Sequence, residues 1–272
     1  MLKTLFLKLY VMVFARRCCR KLNTMMYYMS IKGLGVFNYA SMKESGEKSF
    51  IEKHVCKEAK NKERYVVFDV GGNKGAYTNA ICSAIPNAEV FVFEPHPKTF
   101  QVLKKNTGNI GRIKYFNVGL SDSNGEMELY DYRGGEGSEH ASLNKEVFST
   151  VHESETESYT VKITTIDSVV ESEGVSSIDL LKIDVEGNEL MVLEGAKKII
   201  EHKQIKIIQF EFTQLNSTTR LFFKDFYSFL SPGYKIYRLL PNDLLEIDRY
   251  NATLHEIFGY QNFIAVMKEN NS

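Results

Sequence analysis

The chain has 272 residues, of which 43% are hydrophobic, 25% charged and 12% aromatic, proportions that exclude a disordered tail, a collagen-like repeat and a disulfide miniprotein. Its 34 basic and 34 acidic side chains cancel, so the basic excess that marks most nucleic-acid binders is missing. The balance is uneven. Residues 1–22 carry Lys3, Lys8, Arg16, Arg17, Arg20 and Lys21 with no acid, which leaves 28 bases against 34 acids in the remainder. The chain divides on this basis into a basic leader over 1–45 and a mildly acidic domain over 46–272.

In the leader, Leu5 to Ala15 is apolar apart from Lys8. That is short of the roughly 18–20 apolar residues a membrane-spanning helix needs. Arg16 and Arg17 follow Ala15 directly, a poor context for signal cleavage. Two roles stay open: a helix packed on the domain, or a surface helix over residues 1–22 whose bases meet anionic headgroups. Four cysteines, Cys18, Cys19, Cys56 and Cys82, have no zinc-site spacing and fit a reducing, cytoplasmic setting. The adjacent pair could carry acyl chains in a eukaryote.

Apolar spacing over 45–62 predicts an amphipathic helix. Residues 65–70 then form an almost wholly apolar run of strand length, the pattern of a strand buried on both faces. A glycine-rich turn over 71–75 leads into a helix ending near Ile85. Strands over 90–94 and 113–118 flank a helix over 98–106. Strands over 126–130 and 159–164 bracket a Gly-, Ser- and Glu-rich insert, 133–158, whose length suggests a lid. The alternation resumes with strands over 179–184 and 205–212, helices over 189–200 and 220–230, and closing strands over 234–239 and 262–267. Strand–helix alternation implies right-handed βαβ units. The fold class is therefore α/β, a doubly wound, mostly parallel sheet with helices on both faces.

Strand, Asp69-Val70-Gly71-Gly72-Asn73-Lys74-Gly75, then helix is the layout of a nucleotide site. Glycines let a ligand approach the backbone, and the helix N-terminus offers free amides. The turn is neither the dinucleotide fingerprint, because Asn73 stands at its second glycine, nor a P-loop. Acids follow successive strands at Asp69, Glu94, Asp122 and Asp184, so all four are expected to face one crevice. Carboxylates suit the sulfonium, ammonium and ribose diol of S-adenosylmethionine better than a pyrophosphate.

These stretches resemble the FkbM family of class I S-adenosylmethionine-dependent methyltransferases. The resemblance rests on 67–78, on Glu94-Pro95-His96-Pro97, on 117–122, and most specifically on Thr164-Thr165-Ile166-Asp167-Ser168 with 178–189 and Val192-Leu193-Glu194-Gly195-Ala196. It covers roughly 50–268 and leaves out the leader. Gly72 stands where the family often has alanine. The resemblance implies a Rossmann-like methyltransferase fold with a seven-stranded sheet, and O-methylation of a sugar, glycan, glycolipid or related metabolite. It assigns Asp69, Gly71, Asn73 and Gly75 to the methionine part of the cofactor, Glu94 to the ribose, and Ser121 and Asp122 to the adenine, with Tyr77 and Pro95 also among the cofactor-binding residues. Lys182, Asp184, Glu186 and Gly187 fall at the mouth.

A sugar hydroxyl is a poor nucleophile until a base takes its proton. Asp184 is the first candidate base and Glu186 the second, although either could instead cap the following helix. A divalent cation between Asp184 and Glu211 is a competing mechanism. His140, in the insert, is the best placed of the histidines. A dinucleotide-dependent oxidoreductase and an inactive binding module with the same fold are the alternatives. Partners are a small-molecule or glycan acceptor and no nucleic acid. The sequence leaves the oligomeric state open.

Overall fold

Burial on both faces decides where the first strand runs. In β1 (Tyr65–Val70) every residue is buried, which its apolar sequence permits and a solvent-facing strand would not. The computed structural model describes residues 2–108, 110, 112–132 and 156–269. β1 pairs in parallel with β2 (Ala88–Phe93), and β2 with β3 (Ile113–Phe116). On its other side β1 pairs in parallel with β7 (Ile178–Ile183), and β7 with β8 (Ile205–Phe212). The closing strands add an antiparallel edge. β11 (Gln261–Met267) inserts between β8 and β9 (Tyr234–Leu239), and β10 (Leu244–Glu246) pairs with β9.

The main sheet thus has eight strands in the order β10-β9-β11-β8-β7-β1-β2-β3. The eighth is β10, whose three residues are too short to produce a readable alternation. A second sheet holds β4 (Gly119–Leu120), β6 (Thr156–Thr164) and β5 (Gly125–Tyr132) in that order. The expected insert joins β5 to β6, and its residues 133–155, His140 among them, lie outside the described residues.

The two faces of the main sheet bury separate cores, as side-chain alternation along a strand requires. Phe68, Phe91, Leu181 and Phe210 pack on one face against helices Ile166–Glu173, Glu189–Glu194 and Phe223–Leu230. Val67, Val90, Leu180 and Ile207 pack on the other against Phe50, Ile51, Val55 and Ala59, and against helices Ala76–Ala84 and Pro97–Thr107. Helical residues 47–59 run through one π turn, Ile51–Val55. The helix expected over 189–200 is divided at Gly195-Ala196 into Glu189–Glu194 and Lys197–Glu201. A Cβ at Gly195 would lie 2.0 Å from the Ser121 carbonyl oxygen, so this helix break packs against the end of β4 at a glycine.

The leader forms α1 (Leu2–Phe14) and α2 (Arg20–Gly33), joined through a 3₁₀ turn. The Tyr10 hydroxyl donates to Asn23 Oδ1 at 2.5 Å, and Asn23 Nδ2 donates to the Phe14 carbonyl at 2.9 Å, so the two helices turn back on each other. Ile31, in the last turn of α2, and Val36 beyond it are buried, and the Phe37 amide donates to the Tyr260 carbonyl at 2.7 Å.

Candidate active site

Strand order reverses between β1 and β7, and the crevice of such a sheet opens at that point. The chain leaves β1 through Gly71, whose φ of 80° is left-handed. A Cβ there would sit 1.8 Å from the Asp184 carbonyl oxygen, so the turn is held tight against the end of β7. The Gly71 and Gly72 amides both donate to the Phe93 carbonyl, at 3.0 and 2.9 Å. The ends of β1, β2 and β7 are thereby tied into one ledge. Gly72 has no room for an alanine, because a Cβ would lie 2.3 Å from Val92 Cγ2.

Above the ledge is a cavity of about 760 Å³, ample for a nucleoside-sized ligand. Asn73, Glu94 and Pro95 form one side, and Asp184, Glu186 and Glu211 the other. The Asn73 amide donates to Glu94 Oε2 at 3.0 Å, and the His96 amide to Oε1 at 2.8 Å. Both carboxylate oxygens are aimed this way and keep lone pairs for a ligand. Burial pushes the Glu94 pKa up to about 7, against the opposing pull of those two amides.

On the other side Asp184 directly follows β7. Its Oδ2 accepts from Lys182 Nζ at 2.8 Å. Lys182 is buried, and its ammonium lies 5.0 Å from the centre of the Tyr77 ring. Burial opposes its charge, but the carboxylates of Asp184, Asp69 and Glu47 outweigh that and hold its pKa above the ordinary lysine value. Glu211 is raised well above the carboxylate range, first by burial and then by the charges of Asp184, Glu186 and Glu189. The carboxyls of Asp69, Glu47 and Asp184 act on this one lysine, and of the three only Asp184 faces the cavity.

Glu189, and neither Asp184 nor Glu186, takes the capping role: its Oε1 accepts from the Gly187 and Val185 amides at 3.0 and 3.3 Å. Burial raises it to about 7. An acid at the first position of a helix is the signal that would have found it. Sequence reasoning also missed Phe37 and Tyr39, which reach the cavity wall from the end of the leader. It missed Glu47 as well, which is buried and accepts from Gln209 Nε2 at 2.9 Å. No local pattern announces either. Phe37, Asn73 and Glu186, at φ 61°, 46° and 54°, are non-glycine residues in left-handed backbone, and all three line the cavity. Such strain concentrates at functional sites.

The remaining candidates lie further back. Asp69 is fully buried beneath the turn and accepts from Thr78 Oγ1 at 2.6 Å. Tyr77 is buried and donates to Gln209 Oε1 at 2.8 Å. Gly75, at φ 88°, faces Thr107 and Leu103. Ser121 is buried against Gly195 and Thr164, while Asp122 is exposed, and neither lines the cavity. The four acids therefore do not share one wall: after β3 the chain crosses to the small sheet, so Asp122 follows β4 and not a strand of the main sheet. Asp184 and Glu211 do end adjacent strands, but no group of three or more His, Cys, Asp or Glu arranged to hold a metal ion occurs among the described residues.

Strand order, a cavity at the reversal and a carboxylate-rich wall define a Rossmann-like domain of the methyltransferase type. A family model described as the methyltransferase FkbM domain matches residues 69–238, and the chain belongs to that family. Over 145 residues it is 34% identical to the hexuronic acid methyltransferase AglP of Haloferax volcanii, covering 53% of this chain and 55% of that protein. It is 28% identical over 142 residues to the 2-O-methyltransferase NoeI of Sinorhizobium fredii, covering 50% and 58%. Each alignment spans a little over half of the relative. A crystal structure of an S-adenosylmethionine-dependent methyltransferase from Agrobacterium tumefaciens overlays with a TM-score of 0.42 at 12% identity, covering 81% of this chain and 62% of that one.

Proposed function

We propose that the chain is an S-adenosylmethionine-dependent O-methyltransferase whose acceptor is a hydroxyl of a sugar or glycan. The observation that carries this is the wall of the crevice, with Asn73 and Glu94 on one side and Asp184, Glu186 and Glu211 on the other, in a chain of this family. The residues fit the cofactor. Asn73 Oδ1 is buried at the wall without a hydrogen-bond partner. The carboxyl cluster complements a cation and would repel a pyrophosphate.

S-adenosylmethionine supplies a methyl group activated on a sulfonium sulfur. Glu94 accepts the ribose diol, and Gly71 and Asn73 hold the methionine end against the ledge. Asp69 and Tyr77 support that ledge from behind. Asp184 is the base that takes the acceptor proton. Lys182 is a positioning residue: it occupies Asp184 Oδ2 and so leaves Oδ1 for the acceptor. Glu186, held in left-handed backbone at the rim, orients the acceptor. The deciding experiment is a screen of sugars, uronic acids and glycans with methyl-labelled S-adenosylmethionine. Label on an acceptor oxygen supports the assignment. Cofactor binding with no transfer to any hydroxylated acceptor refutes it.

A further inference from the structure

The helical hairpin of the leader has an apolar surface that the domain does not cover. Among residues 4–30, only Tyr10, Phe14, Cys19 and Asn23 are not fully exposed, and these are the residues that join α1 to α2 or form their turn. Leu5, Phe6, Leu9 and Met12 on α1, and Met25 and Met29 on α2, stand 48–68% exposed. Scattered exposed apolar residues are ordinary, but Leu5, Phe6, Leu9 and Met12 recur at helical spacing along α1, and such a set marks an interaction surface. Its charge selects the occupant. The first acid in the chain is Glu44, and before it come eight bases, four of them (Arg16, Arg17, Arg20 and Lys21) clustered at the hairpin turn. No described helix is long and apolar enough to cross a membrane. The 13 residues of α1 rise about 20 Å, short of a hydrocarbon core about 30 Å thick.

The hairpin is also coupled to the crevice. The Tyr28 ring on α2 lies 6.2 Å from Phe37, and Phe37 and Tyr39 line the cavity. Tyr39 is exposed at the rim and packs edge-on against Tyr260, 5.9 Å away. The inner end of the hairpin therefore packs against a residue of the cavity wall.

We propose that residues 4–29 form a docking hairpin for an anionic lipid bilayer, which holds the crevice against the headgroups so that the acceptor sugar is carried by a membrane lipid. The second half of this rests on the methyltransferase reading above; the first does not. The full chain is floated with vesicles of phosphatidylcholine alone and of phosphatidylcholine mixed with phosphatidylglycerol. It should float with the anionic vesicles only. Each basic group near such a surface raises partition about five-fold, so the quadruple variant Arg16→Glu, Arg17→Glu, Arg20→Glu, Lys21→Glu should lose roughly 100-fold or more. The variant Leu9→Asp, Met12→Asp keeps the bases and should lose at least about ten-fold by removing insertion. Both variants alter exposed residues, and unchanged cofactor affinity would verify that they fold. Failure of the wild type to float, or equal flotation of the charge-reversed variant, overturns docking. So does a dimer in vesicle-free buffer that Leu9→Asp, Met12→Asp dissolves, since the face then belongs to a second copy. For the acceptor, a uronic acid glycoside of a long alkyl chain in anionic vesicles should show kcat/KM at least about ten-fold above its methyl glycoside. Equal rates overturn the lipid-borne acceptor and leave docking intact. Transfer to neither overturns the acceptor together with the reading it rests on, while flotation still decides docking.

Discussion

Replacing Glu94 by glutamine removes one charge from the cofactor side of the crevice and leaves its shape intact. Glu94 now accepts from two backbone amides, at 3.0 and 2.8 Å, and keeps lone pairs for the ribose diol. In Glu94→Gln one end of the side chain becomes a donor. It then faces an amide N–H, so one backbone hydrogen bond is lost together with a charge-assisted bond to the diol. Hydrogen bonds to a charged group contribute about 1.5–3 kcal/mol each, so the diol bond alone corresponds to roughly a 10–150-fold weaker Kd for S-adenosylmethionine. pH sharpens the test. The Glu94 pKa is raised to about 7 from an ordinary 4.5. Between those values the folded chain holds a proton that the unfolded chain has released, so this group's contribution to stability falls as pH rises. Affinity has the opposite sign, because the diol needs an ionised acceptor: Kd should tighten roughly ten-fold from about pH 6 to pH 8, and Glu94→Gln should flatten that slope. Calorimetry on wild type, Glu94→Gln and the exposed control Asp122→Asn supplies all three numbers. A Glu94→Gln affinity within two-fold of wild type at about pH 8, or a loss in Asp122→Asn of the same size, would refute the assignment.

Asp184→Asn should lower kcat by roughly 10²–10⁴-fold while cofactor affinity shifts only a few-fold, which single-turnover kinetics and calorimetry separate. Lys182→Met should leave Asp69 and Glu47 buried without their cation and cost about 3–5 kcal/mol, read from urea unfolding; a change below about 1 kcal/mol would mean that the cluster is not electrostatically coupled. Gly72→Ala should cost about 1–3 kcal/mol, since its methyl would meet Val92 2.3 Å away, and Val92→Ala in the same chain should recover most of the loss.

The parallel strands were legible because each is buried on both faces, which forces a near-continuous apolar run bounded by turns. β1 and β8 have the extents read for them, and the other parallel strands lie within about two residues of theirs. β10 was not legible, because three residues at a sheet edge carry no period. The glycine turn and Glu94 could be read because close backbone approach and a strand-end acid leave a local signature. What the sequence could not convey is which strand ends share a sheet. Asp122 looks like Glu94 in isolation and differs only because β4 leaves the main sheet. The buried support behind the site was hidden for a similar reason: Glu47 meets Gln209 across 162 positions, and no local pattern encodes that meeting. Phe37 and Tyr39 sit in a segment that looks like a connection and becomes a wall only once Phe37 hydrogen-bonds Tyr260.

The most direct test of the central claim is a crystal structure of the chain with S-adenosylhomocysteine. The expected result is ligand in the 760 Å³ crevice, its ribose hydroxyls within hydrogen-bond distance of Glu94 and its sulfur turned toward Asp184. Ligand bound elsewhere, or a ribose contacting neither Glu94 nor Asn73, would contradict it.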